Sequence, residues 1–469
     1  SFKLFDVSTA SIRLASAVLG IATVPAAYLA GREFFGRRLM GLVLAFLLAV
    51  SSWDINFSRI GMFNIATPLF QLLALGLLLR GLRTQRLLHF ALAGLSLGFG
   101  LAFYRVFQIF LPVIGLFFLH AAIAHRQLLR RSWIGWLLVG LGLVLAILPV
   151  LVFAYQQPDV FLSRTQDTYI FTGKAPDERI PALLENVRKH VLMFNYRGDP
   201  NGRHNFPGDP MLDPIVGALM VLGLALSLRR FWQPTRFLLL SWMVIMLLGG
   251  ILSLDFEAPQ SLRAIGTLPV AYLLAALPID ALWHAWRQTR FGGRFPRLFV
   301  WPLLALLIYV GVLNVNKYFV RQANDFAVWN AHSTPETIAA NFLKNEGDEA
   351  DFYIISFLTN HPSVNFLARG HGEIFRLDTT DRFPLRVAAD RDVVLIMNAE
   401  SRSLYEDARR FYPNATFKEI QPDFGGDVVI YYVRLTPEDI RSLQGLNATY
   451  YSTPDWSGDP ILTRREETI

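Results

Sequence analysis

The chain has 469 residues, of which 53% are hydrophobic and only 17% are charged, and its mean hydropathy is +0.36. These values are too apolar for an ordinary soluble protein of this length. The formal net charge of +7 does not indicate nucleic-acid binding, because the excess lies at the ends of apolar segments. The absence of cysteine excludes disulfides, thiol chemistry and cysteine metal sites.

Ten apolar segments follow one another through the first 318 residues. With its flanks, each is long enough to cross a bilayer as a helix of about 20 residues. The segments span residues 14–30, 40–53, 61–79, 87–104, 106–124, 133–155, 215–228, 237–254, 264–286 and 298–318. We therefore predict an α-helical polytopic membrane bundle over residues 1–318.

Every second connection between these segments is rich in arginine, which predicts how the chain is oriented. The arginines of these five connections are Arg32, Arg37, Arg38, Arg80, Arg83, Arg86, Arg126, Arg130, Arg131, Arg229, Arg230, Arg236, Arg287, Arg290, Arg294 and Arg297. Because positive loops near span ends stay in the cytoplasm, the other connections and everything after Tyr318 are expected outside. The predicted location is the cytoplasmic (plasma) membrane, with the long loop 156–212 and the C-terminal domain outside.

After residue 318, apolar helices give way to alternating strand and helix patterns. Strand-like runs at 351–357, 393–397 and 428–433 are interspersed with helical patterns at 334–345, 403–411 and 437–443. This alternation predicts a small extracytoplasmic α/β domain over residues 319–444. No glycine-rich phosphate motif follows its first strand, so a nucleotide site is not expected there.

The last stretch, 445–469, has a different character. Gly445-Leu-Asn-Ala-Thr-Tyr-Tyr and Trp456-Ser-Gly-Asp-Pro-Ile-Leu-Thr-Arg resemble the opening strands of the β-sandwich domain first described in anthrax protective antigen. Members of that family often bind carbohydrate. The resemblance implies that residues 445–469 begin such a domain and that it continues beyond Ile469.

Charged groups at membrane depth cost several kcal/mol unless they are paired or hydrated, so they mark candidate sites. Tyr104 and Arg105 lie at the outer junction of segments four and five, where a guanidinium can bind phosphate bidentately. The alternative is an arginine that snorkels to lipid headgroups. Asp54 and Arg59 lie in the second outside turn. Asp54 is a candidate acid and Arg59 is a candidate phosphate ligand. The alternative is that the two residues form a solvated ion pair.

The fourth outside turn and the end of the long loop supply the other candidate substrate-binding residues. Glu257 and Arg263 lie in the fourth outside turn, and Arg263 is at the expected depth of Arg59 and Arg105. The long loop ends in a stretch dense in polar groups and turn formers, with Arg203, His204, Asn205 and Asp209. His204 is a candidate base or phosphate contact, although a single histidine in a loop is commonly structural. No set of residues has metal-ligand spacing, and no Ser-His-Asp motif is visible.

Four stretches together resemble the lipid-carrier-dependent sugar transferases of the C-type superfamily, related to protein O-mannosyltransferases and aminoarabinose transferases. These stretches are Ile12-Arg-Leu-Ala-Ser-Ala-Val-Leu-Gly with Ala27-Tyr-Leu-Ala-Gly-Arg-Glu-Phe-Phe-Gly, then Phe57-Ser-Arg-Ile-Gly, Phe103-Tyr-Arg leading to Pro112, and Arg263 with Leu268-Pro269. The resemblance covers roughly residues 12–318 and rests on the order and spacing of the motifs.

The resemblance implies a membrane enzyme that takes a sugar from a polyprenyl-phosphate carrier and passes it to a hydroxyl of a protein, lipid or glycan. It implies no nucleotide sugar, metal or other cofactor. The expected partners are this donor, its acceptor and membrane lipids, with no nucleic acid. The carrier's tail needs a groove in the bundle, its phosphate needs cations at the outer rim, and the acceptor hydroxyl needs a carboxylate as base.

Two departures from the family pattern matter. The family's catalytic acid follows a first span, and both are expected before Ser1, so the base is not identified here. An acidic residue often follows the Ser-Arg pair of the family, whereas this chain has Asn64 in that region.

Two other functions therefore remain open. One is an inactive scaffold that binds partners through the outer domain. The other, less favoured, is a transporter of lipid-linked sugars. Transporters usually contain internal repeats, and this sequence has no convincing repeat.

Overall fold

The computed structural model describes residues 8–161, 168–346, 349–370, 374–378, 380–444 and 446–466. Contacts between Cα atoms divide the chain into two compact units, Ser1–Val328 and Trp329–Ile469. The first unit is helical. Its α-helices are α1 Thr9–Phe35, α2 Arg38–Val50, α3 Ser52–Arg59, α4 Ala66–Thr84, α5 Leu87–Phe103, α6 Phe110–Ala124, α7 Arg126–Arg131, α8 Trp133–Gln156, α9 Pro176–Leu192, α10 Pro214–Arg229, α11 Pro234–Ile251, α12 Leu268–Gln288, α13 Arg290–Arg294 and α14 Val300–Val315.

Short 3₁₀ and π segments join several of these helices. They are the 3₁₀ turns Phe63–Ile65, Arg105–Ile109, Asp255–Glu257, Ile265–Thr267, Pro296–Phe299 and Gln322–Asn324, and the π-helical Asn316–Arg321. Among the described residues, seven helical stretches are long and apolar enough to span a membrane, α2 and α3 form one bent pair, and α5 and α10 are shorter apolar helices. These ten elements coincide with the ten predicted segments, which confirms the polytopic helical bundle.

The second outside turn differs from the prediction. The chain bends by 57° between α2 and α3 and then continues as helix to Arg59. Ser51 Oγ accepts a hydrogen bond from Asp54 N, which caps the new helix. Trp53 and Phe57 are buried in the bundle core, and Asp54 is only 4% exposed. Asp54 is therefore a core residue and not part of a solvated Asp–Arg pair.

Close helix packing in the bundle depends on small residues. Helices α5 and α8 approach so closely that a Cβ atom at Gly94 would lie 2.2 Å from Val139 O, and one at Gly142 would lie 2.7 Å from Ala91 O. At the ends of α1 and α4, Glu33 pairs with Arg32 at 2.5 Å and with Arg83 at 2.8 Å. Glu33 is the single carboxylate of the arginine-rich connections, and here it ties α1 to α4.

The second unit holds the small C-terminal sheet domain, whose presence was predicted. Its elements are α15 Phe326–Ala331 at the boundary, α16 Thr334–Glu346, β1 Ala350–Ile355, α17 Ser356–Thr359, α18 Pro362–Leu367, β2 Ile374–Leu377, β3 Asp392–Asn398, the 3₁₀ turn Ala399–Ser401, α19 Arg402–Phe411, β4 Thr416–Ile420, β5 Ile430–Leu435, α20 Pro437–Leu443, β6 Leu446–Tyr450 and β7 Leu462–Glu466. Five strands form one sheet in the order β2-β1-β3-β5-β4, and β6 and β7 form a separate antiparallel pair.

The five-stranded sheet is mixed and has an apolar core on both faces. Strand β1 pairs in parallel with β2 and β3, whereas β5 pairs antiparallel with β3 and β4. One face packs Phe352 and Ile396 against α16 and α18, and the other packs Leu395 and Val433 against α19. The central strands were predicted because they are continuous apolar runs. The edge strands β2 and β4 were not, because their side chains are largely exposed.

Candidate functional site

Arg105 begins the 3₁₀ turn Arg105–Ile109, directly after the half-buried Tyr104. Its guanidinium carbon lies 4.9 Å from the ring centroid of Phe161. The Arg105 Nε atom is buried and has no hydrogen-bond partner within the part of the chain that the structure describes. A buried donor without an acceptor is costly, so Arg105 has unused capacity for an anionic ligand.

Arg263 lies on a chain segment that is a neighbour of Arg105. A Cβ atom at Gly249 would lie 2.8 Å from Arg263 O and 3.2 Å from Val106 Cγ1, so both segments pack on the same glycine. The Arg263 side chain donates to Thr168 O at 3.3 Å. The two arginine-bearing segments therefore meet in the folded bundle although they are far apart in sequence.

Arg59 has a different environment. Its guanidinium carbon lies 5.5 Å from the ring centroid of Tyr318 and 5.3 Å from that of Phe319. The structure thus relates Arg105 to Arg263 and places Arg59 against the aromatic residues that follow α14.

A polar cavity of about 210 Å³ lies between the long loop and the turn that precedes α12. It brings together two predicted residues, His204 and Glu257, from distant parts of the sequence. Its lining residues are Asp199, Pro200, Asn201, His204, Phe256, Glu257 and Gln260. Three of the polar residues in that list, Asp199, Asn201 and Gln260, were not predicted from sequence.

Asp199 is the centre of this arrangement and is 1% exposed. Its Oδ2 atom accepts hydrogen bonds from His204 Nδ1 at 3.0 Å, Ser261 N at 2.7 Å and Ser261 Oγ at 2.8 Å. Its Oδ1 atom accepts from Asn201 N at 2.9 Å. Because a carboxylate only accepts, His204 carries a proton on Nδ1, and in the neutral form of the ring Nε2 has the free lone pair. In sequence, Gly198-Asp-Pro-Asn signals only a turn, so nothing there indicated this role.

A second buried histidine fixes the neighbouring turn. His190 Nδ1 donates to Asn186 O at 2.8 Å, and His190 Nε2 accepts from Gln260 N at 3.1 Å. Burial lowers the pKa of His190, which favours this neutral form. Gln260 Nε2 in turn donates to a Glu257 carboxylate oxygen. Asp255, which belongs to the same turn, pairs with Lys174 at 2.8 Å. The hydrogen bond from Lys174 holds the pKa of Asp255 below its usual value.

The other predicted residues of the long loop contribute to its fixed shape. Asn205 Nδ2 donates to Asp209 O at 2.5 Å, and the Asp209 carboxylate lies 3.4 Å from Lys317 Nζ and 3.3 Å from Arg321 Nη2. The Arg203 side chain is exposed, while its carbonyl oxygen accepts from Asn56 Nδ2 at 2.7 Å. These residues tie the loop to the bundle, and they do not line the polar cavity.

A stripe of buried polar side chains runs along the start of α4. Asn64, Thr67 and Gln71 are at most 1% exposed and share one helix face by their spacing. Their side-chain polar atoms have no hydrogen-bond partner among the described residues. The stripe begins beside Phe63, whose ring lies 6.5 Å from that of Phe103, and Gln71 packs against Gly266. One end of the stripe is therefore close to the residues that precede Arg105, and the other end is close to those that follow Arg263.

Buried polar groups at membrane depth cost free energy unless something satisfies them. The stripe is thus a candidate contact for water or for the polar part of a ligand. Over the described ranges, no group of three or more His, Asp or Glu side chains is placed to hold a metal ion.

Comparison with known proteins gives a family match for part of the chain and a solved structure with a similar fold. Residues 1–153 match the model of the dolichyl-phosphate-mannose-protein mannosyltransferase family. The crystal structure of ArnT from Cupriavidus metallidurans in the apo state has a TM-score of 0.50 and 12% sequence identity, covering 93% of this chain and 86% of that chain. No match was found among curated proteins.

Two further solved structures are similar at lower TM-scores. ArnT from Cupriavidus metallidurans bound to undecaprenyl phosphate gives 0.46 at 13% identity, covering 92% of this chain and 85% of that chain. The archaeal oligosaccharyltransferase AglB from Archaeoglobus fulgidus, in complex with an inhibitory peptide and a dolichol-phosphate, gives 0.44 at 12% identity, covering 95% and 69%.

The family match and the shared fold of apo ArnT confirm the resemblance predicted from the four motif stretches. The chain is a multi-pass membrane protein with the fold of C-type, lipid-carrier-dependent glycosyltransferases, to which a small sheet domain is added.

Proposed function

We propose that this chain is a membrane glycosyltransferase that moves a sugar from a polyprenyl-phosphate carrier to a hydroxyl of a protein, lipid or glycan on the outer face of the membrane. The match of residues 1–153 to a mannosyltransferase family is the observation that carries this proposal. The polar cavity, together with Arg105 and Arg263, is assigned the groups that such a transfer needs.

The carrier phosphate is assigned to Arg105 and Arg263. Their segments pack on Gly249, and the buried Nε of Arg105 lacks an acceptor among the described residues. Two guanidinium groups stabilise the negative charge that builds on the phosphate as its bond to the sugar breaks. Arg59, whose guanidinium lies over the rings of Tyr318 and Phe319, is assigned to a third contact with the carrier, separate from the other two.

The acceptor hydroxyl is assigned to the polar cavity. Its oxygen attacks the anomeric carbon, the bond from that carbon to the phosphate oxygen breaks, and polyprenyl phosphate leaves. The hydroxyl proton passes to His204 Nε2, and Asp199 orients the imidazole for this step by accepting the hydrogen bond from Nδ1. Glu257 and Gln260 line the same cavity and are assigned to the hydroxyls of the acceptor or the sugar.

The remaining predicted residues complete the proposed site. Tyr104 directly precedes Arg105 and is assigned to the phosphate region. Asp54 stays a candidate acid, since its Oδ1 atom is buried without a partner in the described residues. Arg203, Asn205 and Asp209 keep the loop in its shape. The C-terminal unit is proposed to lie outside the membrane and to select the acceptor.

The test is sugar transfer in membranes that contain the protein, with labelled polyprenyl-phosphate sugars as donors. We expect Arg105→Gln, Arg263→Gln and His204→Gln each to lower transfer about a hundredfold or more. Arg402→Gln removes an exposed positive charge from the C-terminal unit and serves as the matched control, with expected wild-type transfer.

Transfer that survives all three substitutions would contradict the site. Absence of transfer from every donor, with the protein folded and inserted, would contradict the enzyme and favour the scaffold alternative, for which Asn64 in place of an acidic residue is the supporting observation.

A further inference from the structure

The C-terminal unit contains a larger cavity that the proposed transfer does not use. It has a volume of about 1860 Å³ and lies between the end of β2, the segment 381–389 and helix α20. Sites for a single small molecule commonly measure about 300–1,000 Å³. The larger volume suits a ligand made of several linked units.

Hydrogen bonds between side chains and the backbone fix one wall of this cavity. Leu385 N donates to Tyr412 Oη at 2.8 Å, Arg441 Nη2 donates to Ala389 O at 2.9 Å, and Gln444 Nε2 donates to Val387 O at 2.6 Å. Tyr412 is 2% exposed, so this anchor lies in the core of the unit. The segment is thereby held in one shape, and the cavity is formed before any ligand arrives.

An aromatic side chain forms part of the lining. Tyr353 of β1 lines the cavity and stacks on Phe375 of β2, with ring centroids 4.9 Å apart and an angle of 19° between the planes. Its hydroxyl makes no hydrogen bond to any residue that the structure describes. The half-buried ring of Tyr353 offers an apolar face and a hydroxyl that can form a hydrogen bond. A sugar ring also has an apolar face and hydroxyl groups, so the two are complementary.

The charges around the cavity favour an anion. Arg382 and Arg386 are exposed lining residues, and neither has an ion pair within the described ranges. The lining contains two carboxylates, Asp381 and Glu438. Asp381 already accepts a hydrogen bond from Asp378 N at 2.7 Å, so Glu438 is the lining carboxylate that remains to pair with these arginines. Arginine binds carboxylates and phosphates through two parallel hydrogen bonds, so two unpaired arginines match a chain that carries repeated acidic groups.

We propose that this cavity binds an anionic oligosaccharide. A sugar ring packs against Tyr353, and acidic groups of the same chain bind Arg382 and Arg386. This inference concerns binding alone and does not depend on the proposed transfer reaction.

The test is calorimetric titration of the whole chain in detergent with tetragalacturonate, an anionic sugar tetramer. Maltotetraose serves as the neutral sugar and tetraglutamate as the anionic peptide. We expect tetragalacturonate to bind, and the double variant Arg382→Gln/Arg386→Gln to weaken binding about tenfold or more. Tyr353→Ala is expected to weaken it as well.

The matched control is Lys344→Gln/Arg402→Gln, which removes the same two positive charges from exposed helix positions outside the cavity. Its affinity should stay within about twofold of wild type, because remote surface charges are screened by salt. Equal weakening by this control, equal affinity for maltotetraose or tetraglutamate, or no binding of tetragalacturonate would each overturn the proposal. None of these results depends on whether sugar transfer occurs.

Discussion

At the scale of single residues, the polar cavity is built around buried side chains whose hydrogen bonds are almost all accounted for. Asp199 accepts four, and His190 uses both ring nitrogens. One exception in the cavity is Gln260 Oε1, which is buried without a partner among the described residues. Away from the cavity, Arg105 Nε and the Asn64, Thr67 and Gln71 side chains likewise lack partners among those residues. Unsatisfied groups of this kind mark places where a ligand or water belongs.

Substitution Asp199→Asn tests whether Asp199 positions His204. The amide cannot accept all the bonds that the carboxylate accepts, so His204 loses its fixed tautomer while the cavity keeps its shape. We expect kcat for sugar transfer to fall on the order of a hundredfold with little change in KM. Asp177→Asn, an exposed carboxylate of α9, should leave both constants unchanged. A rise in KM with unchanged kcat would instead indicate a purely structural role.

Substitution His190→Gln tests a dependence of stability on pH. Burial lowers the pKa of His190 in the folded state, so the unfolded chain binds the proton more readily as the pH falls below about 6.5. This contribution to stability is therefore complete above that pH and is lost on acidification. We expect the thermal midpoint to drop less between about pH 7.5 and 5.5 in His190→Gln than in wild type. The exposed His125→Gln should keep the wild-type drop, and an identical drop in all three proteins would refute the prediction.

At the scale of elements, the bundle is held together where helices approach through small residues. Helices α5 and α8 bring Gly94 against the Val139 carbonyl and Gly98 against Ala146. Within a membrane there is no hydrophobic force between helices, so such close contacts contribute much of the packing energy. Gly140 of α8, in contrast, has open space around it and contributes nothing of this kind.

The pair Gly94→Ala and Gly140→Ala separates packing from helix propensity. A Cβ at position 94 would lie 2.2 Å from Val139 O, whereas nothing lies within 4 Å of one at position 140. We expect Gly94→Ala to lower the free energy of unfolding by about 1–3 kcal/mol through overpacking. Gly140→Ala should be neutral or slightly stabilising. Thermal midpoints in one detergent would measure both, and equal effects would contradict the close α5–α8 approach.

At the scale of the whole molecule, the proposed function requires that the long loop and the C-terminal unit lie on the same, outer side of the membrane. The absence of cysteine makes this directly testable, because a single introduced thiol has no background. Suitable exposed positions exist on both sides of the predicted topology.

Labelling of single-cysteine variants in intact cells with an impermeant maleimide gives the orientation. We expect Asp177→Cys in α9 and Ser403→Cys in α19 to react in intact cells, because the arginine-rich connections should remain in the cytoplasm. Gln288→Cys, at the end of α12, should react only after permeabilisation. Labelling of Gln288→Cys in intact cells, or protection of the other two, would reverse the proposed topology and place the candidate site on the wrong side.

The sequence by itself determined the ten apolar helical segments and the presence of a C-terminal sheet domain. Both follow from local properties: the length of apolar runs that a bilayer requires, and the alternation of strand and helix patterns. The central strands β1, β3 and β5 were visible for the same reason, since strands buried on both faces are continuous apolar runs.

Only the tertiary structure decided how the candidate site is assembled. Asp199 meets Ser261, 62 residues away in sequence, and the segments of Arg105 and Arg263 meet at Gly249. Asp54 lies in a buried helix because the chain bends at Ser51, where the sequence predicted a solvated turn. Such contacts depend on which helices pack together and at what distance, and these are properties that no local pattern of residues encodes.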